Sequence, residues 1–171
     1  KVLAARLDKN IKLSPGLVLN FLLAQLTNKQ TKKKSQEVAE KHYDLGNDLF
    51  AATLDSRMVY TCAYWRTANT LEQAQFDKLD LVCRKLNLKP GMKILDIGCG
   101  WGSFIKFACE RYGVSAVGIT ISQEQAELAR QLCEGYPIEI KVQDYREVEG
   151  MYDSIISLGM FEHVGYKNHR L

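Results

Sequence analysis

No apolar stretch in this 171-residue chain is long enough to cross a bilayer. The longest, Leu17 to Leu26, has half the length a spanning helix needs and contains Asn20 and Gln25. No signal-peptide pattern is apparent, so contact with a membrane is expected from its surface. Metal-ligand patterns are missing too. The five cysteines (62, 83, 99, 109 and 133) are an odd number with no two at ligand spacing, and the histidines at 42, 163 and 169 are scattered. The cysteines read as reduced thiols, which points to the cytosol, and His42 and His169 read as structural. Neither sign of charge dominates: the net charge is only +3, and no nucleic-acid partner is expected. That charge is uneven. Residues 1 to 41 hold nine Lys or Arg against three Asp or Glu, while the remainder holds fourteen against seventeen, so the basic end is the one suited to an anionic surface.

What is present suffices for one core. At 46% hydrophobic and 25% charged, the chain reads as an ordinary globular domain with an appendage. Val2, Leu3, Leu7 and Ile11 have helical spacing, and Ser14-Pro15 opens a second helix to about Leu26. Residues 27–35 are polar and basic, a linker between the helical residues 1–26 and a domain over 36–171. Lys32, Lys33 and Lys34 suit either an anionic leaflet or a solvated linker. The aromatic stretches His42 to Phe50 and Met58 to Trp65 read as a structured loop. Thr70 with Gln73 is a capping box for a helix whose buried stripe is Phe76, Leu79, Val82, Cys83 and Leu86.

The centre of the chain is Lys93 to Gly102, Lys-Ile-Leu-Asp-Ile-Gly-Cys-Gly-Trp-Gly. An apolar run preceded by Pro90-Gly91 and ending in three glycines predicts strand, glycine loop and helix, with Gly98, Gly100 and Gly102 allowing backbone and ligand to touch. A dinucleotide fingerprint would want glycine at 103 and an acid at the end of the next strand. Ser103 and the strand end Gly-Ile-Thr-Ile-Ser supply neither. The pattern fits S-adenosylmethionine better than NAD, with Asp96 orienting the loop and the amino-acid end of the cofactor.

Further strands are expected at Ser115 to Ile121, Ile138 to Val142 (half-covered, near an edge) and Ser154 to Leu158. Ser122 with Gln125 caps a helix to about Leu132. Alternating strands and helices predict a parallel sheet with right-handed crossovers in the order 3-2-1-4. The fourth strand reads as central yet lies at an edge, which predicts further strands and part of the active site beyond Leu171, or pairing with another chain as a homodimer.

Taken together, His42 to Phe50, Met58 to Trp65, Leu95 to Gly102, Thr120 to Gln125, Asp144-Tyr145 and Phe161 to Gly165 resemble the cyclopropane-fatty-acyl-phospholipid synthase family, which includes the mycolic acid cyclopropane synthases. The resemblance covers residues 36 to 169 and, more weakly, the N-terminal helices. It implies a Rossmann-like class I methyltransferase fold that transfers a methylene from S-adenosylmethionine to the cis double bond of an unsaturated phospholipid acyl chain. The enzyme would act as a peripheral protein on the inner face of the membrane. In that reaction an alkene attacks the sulfonium methyl, and a base removes a proton from the new methyl as the ring closes. The resemblance implies bicarbonate as that base, held by Cys62 and Glu162 together with groups beyond position 171. This chain alone is therefore expected to be inactive. Cofactor contacts carry over to Tyr60, Thr61, Gly98, Gly100, Gly102, Thr120, Ile121, Gln125, Asp144 and Tyr145. Tyr64 or Trp65 is placed to stabilise positive charge.

From the residues alone, plainer roles stand beside these. Cys62 also reads as buried filler, Glu162-His163 as a helix N-terminal acid with a satisfied histidine, and Asp144 as a turn cap. Two other functions fit the same pattern: methylation of an amine or addition of a methyl branch to an acyl chain, and a non-catalytic nucleotide-binding or membrane-docking module.

Overall fold

The computed structural model describes residues 15–16, 47–165 and 168. Pro15 and Gly16 are helical, where Ser14-Pro15 predicts a helix to open. The rest of the N-terminal helices, the linker with its three lysines, His42 and His169 lie outside the described residues.

Four strands, β1 (Lys93–Ile97), β2 (Ser115–Thr120), β3 (Ile138–Val142) and β4 (Ser154–Ile156), form one parallel sheet in the order β3-β2-β1-β4. The alternation of strand and helix leads to this order, and the half-covered β3 takes one edge. On one face the even-numbered Ile94, Ala116 and Ile140 meet three helices: α2 (Leu71–Lys85), α3 (Ser103–Tyr112) and α4 (Gln123–Leu132). On the other, Leu95, Val117 and Ile119 pack against Tyr145, Val148 and Tyr152. Period-two alternation sends neighbours to opposite faces, so Asp96 shares the α2 side with Ile94. Gly118, paired with Asp96, lies between Ile105 and Cys99, and a methyl group there would come within 2.7 Å of the isoleucine.

Three expectations are revised. Residues Asn47–Thr53 form a helix, α1, rather than loop; burial of Phe50 against Trp101 stabilises it, while Met58 to Trp65 is irregular as expected. β4 stops at Ile156, because Ser157 bonds the Ile97 carbonyl through its hydroxyl (3.0 Å) instead of extending the backbone ladder. Both capping boxes are one-sided. Thr70 and Ser122 accept from the backbone N–H three residues on, at 3.2 Å each, but Gln73 donates to Asp77 and Gln125 accepts from Thr120. Among the described residues no helix is long and apolar enough to cross a membrane.

Candidate active site

The expected site residues that follow the strands all sit at carboxyl ends, the edge where parallel sheets carry ligands. The glycine loop follows β1, Thr120 and Ile121 end β2, Asp144-Tyr145 follows β3, and Gly159 to Glu162 follows β4. The short helix α5 (Phe161–Val164) carries Glu162, which is exposed.

The three glycines of the loop have different tasks. All adopt positive φ: +81° at Gly98, +57° at Gly100 and +81° at Gly102. A methyl group on Gly98 would lie 2.7 Å from Met160 Cβ, and one on Gly102 would lie 2.7 Å from Cys133 Sγ. Only at Gly100 would it meet open space. The loop therefore offers one open glycine, while its neighbours receive Met160 and Cys133. Gly98→Ala is expected to destabilise by about 1–3 kcal/mol more than Gly135→Ala, since overpacking adds to the shared backbone cost. Gly135 has the same φ of +81° with nothing nearby, so a urea-melt comparison isolates the Met160 contact.

The segment bearing Tyr60, Thr61 and Cys62 is held from three sides. Asp55, buried, accepts from the Val59 N–H at 2.7 Å and folds the turn in which Met58 takes φ +56°. Ser103, first in α3, donates to the Arg57 carbonyl at 2.6 Å. From α2, Gln75 Nε2 donates to the carbonyls of Val59 (3.2 Å) and Thr61 (3.0 Å), and Lys78 Nζ donates to the Thr61 hydroxyl. A methyl group on Gly159 would be 2.9 Å from Thr61 Cγ2, so the turn after β4 abuts this segment. Trp101 of the glycine loop closes the arrangement, packing tilted against Phe50 and edge-on to Tyr60 and donating from Nε1 to Asn47 Oδ1 at 2.8 Å. The segments holding Cys62, Gly98 to Gly102 and Glu162 are thus packed on one another.

Cys62 is exposed, which removes the buried-filler reading, whereas the other four cysteines are buried and free. Tyr60, Tyr64 and Trp65 are exposed aromatics beside it, with Phe161 next to Glu162. Thr120 and Gln125 are buried and joined by a 3.0 Å hydrogen bond, and Ile121 beside them is half-buried. Asp144 does cap a turn: it accepts from the Arg146 N–H at 3.0 Å and forms a bidentate pair with the Arg146 guanidinium. Tyr145 has a buried hydroxyl without a hydrogen-bond partner.

Electrostatically the centre is Asp96 and Lys78, both buried. Burial pushes the Asp96 carboxyl up to about 7, and the Lys78 ammonium pulls it back. Burial takes Lys78 down to about 8 against the opposing pull of Asp55, Asp96 and Cys62. Asp96 Oδ1 is buried with no hydrogen-bond partner. Sequence reasoning selected Asp96 but missed Gln75, Lys78, Asp55 and Met160. The available signal was in α2, where Gln75 and Lys78 interrupt the apolar stripe at positions that face the core.

The family model described as "Mycolic acid cyclopropane synthetase" matches residues 29–171. The cyclopropane-fatty-acyl-phospholipid synthase of Escherichia coli K12 is 50% identical over 169 residues, which are 99% of this chain and 44% of that protein. The chain therefore spans less than half the length of that relative. The mycolic acid cyclopropane synthase CmaA1, complexed with SAH and CTAB, superposes with a TM-score of 0.73 at 39% identity, covering 77% of this chain and 48% of that one. Coclaurine N-methyltransferase, at 23% identity and TM-score 0.71, shares the fold alone. The fold is the Rossmann-like class I methyltransferase fold.

Proposed function

Because the chain belongs to the mycolic acid cyclopropane synthetase family, we propose that the full-length protein transfers a methylene from S-adenosylmethionine to the cis double bond of an unsaturated acyl chain in a membrane phospholipid. The observation that carries this reading is the packing of three segments, 59–62, 98–102 and 159–162, into one site at the carboxyl edge of the sheet. When bound, S-adenosylmethionine supplies an electrophilic methyl on a sulfonium.

The residues fit that donor. It carries a cationic ammonium and ribose hydroxyls, which are hydrogen-bond donors, and the orphaned Asp96 Oδ1 is an acceptor that needs one. Its carboxylate suits the first turn of α3, whose N-cap Gly102 offers no side-chain cap to compete. Gly100 leaves room for close approach. Tyr60 and Thr61, pinned by α2, would border the methyl end, and Tyr145 brings an unpartnered hydroxyl from the end of β3. Asp144, already paired with Arg146, would act by fixing that turn.

At the acceptor side, exposed Tyr60, Tyr64, Trp65 and Phe161 offer apolar rings to an acyl chain. Cys62 and Glu162 border that surface. They do not by themselves make an anion site, since a thiol is a weak donor and a carboxylate repels an anion. No step is assigned to bicarbonate on these residues. A basic N-terminal segment and a site rimmed with aromatics suit work at the inner membrane face.

The test is expression of the full-length protein in cells without an endogenous cyclopropanating enzyme, followed by mass spectrometry of phospholipid acyl chains. The expected product has one added CH₂ and no double bond. A methyl branch with two further hydrogens, or no lipid product from a protein that binds S-adenosylhomocysteine, would overturn the reading.

A further inference from the structure

We propose that Lys78 is a positioning residue of the methyl-donor site, whose ammonium holds the Thr61 hydroxyl and supports Asp96, whose Oδ1 has no partner, in receiving the cationic end of the donor. The inference rests on the donor reading above and goes beyond it, because Lys78 lies on α2, outside every segment that the glycine loop or the strand ends supply.

Three observations carry it. Lys78 is 9% exposed, unusual for a residue that normally reaches solvent with its charge. Its Nζ is committed to Thr61, whose carbonyl is also taken by Gln75 one turn earlier on α2. The same α2 face covers β1, where Asp96 is buried and its Oδ1 has no hydrogen-bond partner. A buried ammonium near a buried carboxylate stabilises the ionised form of that carboxylate. The groups acting on Lys78 are Asp55 from the turn after α1, Cys62 from the pinned segment and Asp96 from β1; Lys78 acts in turn on Asp96, and the Asp96 charge reaches Cys99 in the glycine loop.

The consequence is a pH dependence of donor affinity. With the carboxyl of Asp96 pushed up to about 7, S-adenosylhomocysteine should bind more weakly as pH falls through neutrality, while its own amino group stays protonated over that range. Removing the ammonium lets the carboxyl rise further. In the full-length protein, calorimetric affinity for S-adenosylhomocysteine should show an acid limb near neutrality. In Lys78→Met that limb should move up by about one pH unit, with roughly fivefold weaker binding at neutral pH and roughly tenfold in the acid limb. Lys78→Arg, which keeps the charge, should restore the limb.

A Lys78→Met protein that binds more weakly at every pH with an unmoved limb would make Lys78 a scaffold only and overturn the proposal. Wild-type protein that binds no S-adenosylhomocysteine at any pH would overturn the donor reading together with it. Should Lys78→Met fail to fold, carboxyl-carbon NMR of the wild type decides. An Asp96 that titrates near neutrality with the Lys78 signal responding supports the proposal; an Asp96 that titrates as an ordinary carboxylate sinks it.

Discussion

Replacing Glu162 by Gln in the full-length protein is expected to lower lipid-product formation by about 10²–10⁴-fold, the usual loss when a positioned acid or base is removed, and to leave S-adenosylhomocysteine affinity essentially unchanged. The two readouts separate because of how Glu162 is held. It is exposed on a four-residue helix, and its position is set by the preceding backbone rather than by its own carboxyl. Met160 occupies the space above Gly98, Gly159 abuts Thr61, and the His163 N–H donates to the Met160 carbonyl at 2.9 Å. Glutamine preserves the volume and removes the carboxylate charge. Product formation close to the wild-type rate would remove Glu162 from the chemistry, and a parallel loss of affinity would move it into the donor site.

The second large effect is on stability. The Asp96 carboxyl has an ordinary value of 3.8 and is raised to about 7 in the fold, so between these values the folded protein holds a proton that the unfolded chain has lost. Stability from this group is therefore greatest at acid pH and falls as pH rises from about 4 to about 7. The limit is about 4 kcal/mol for a shift of roughly three pK units, before the partner's response is counted. Lys78 runs the other way. Its folded value of about 8 lies below 10.5, so its penalty is full below about 8 and is relieved as pH rises toward 10. The fold is expected to be least favoured by this pair between about 7 and 8, where both groups are charged. In Asp96→Asn the drop in urea midpoint between about pH 5 and about pH 7.5 should largely vanish, while donor affinity at neutral pH falls. An undiminished drop would place the pH sensitivity elsewhere.

Much of this architecture was legible because it repeats. Strand and helix periods, Pro90-Gly91 and the glycine loop predict β1 to α3, and the alternation carries through to the order β3-β2-β1-β4. The short Asn47–Thr53 helix was not legible, since its reason is tertiary: Phe50 seated on Trp101. The glycines of the loop were visible as a motif, but the division of labour among them was not. That Gly98 receives Met160, about sixty residues away, is a fact of packing without a local pattern. Likewise Lys78 looks like a solvated charge until the helix is laid on the sheet. Polar residues that interrupt a buried stripe were the one available clue, and they lead to the electrostatic centre of the site.

The seating of Met160 on Gly98 has a thermodynamic corollary. It joins the glycine loop to the turn after β4, so a displacement of one presses on the other. A ligand pressing on the glycine loop biases the turn that carries Glu162, and by reciprocity a ligand that shifts this turn biases the loop by the same free energy. Such coupling makes each affinity depend on the other by one and the same factor, which independent filling of two separate cavities would not.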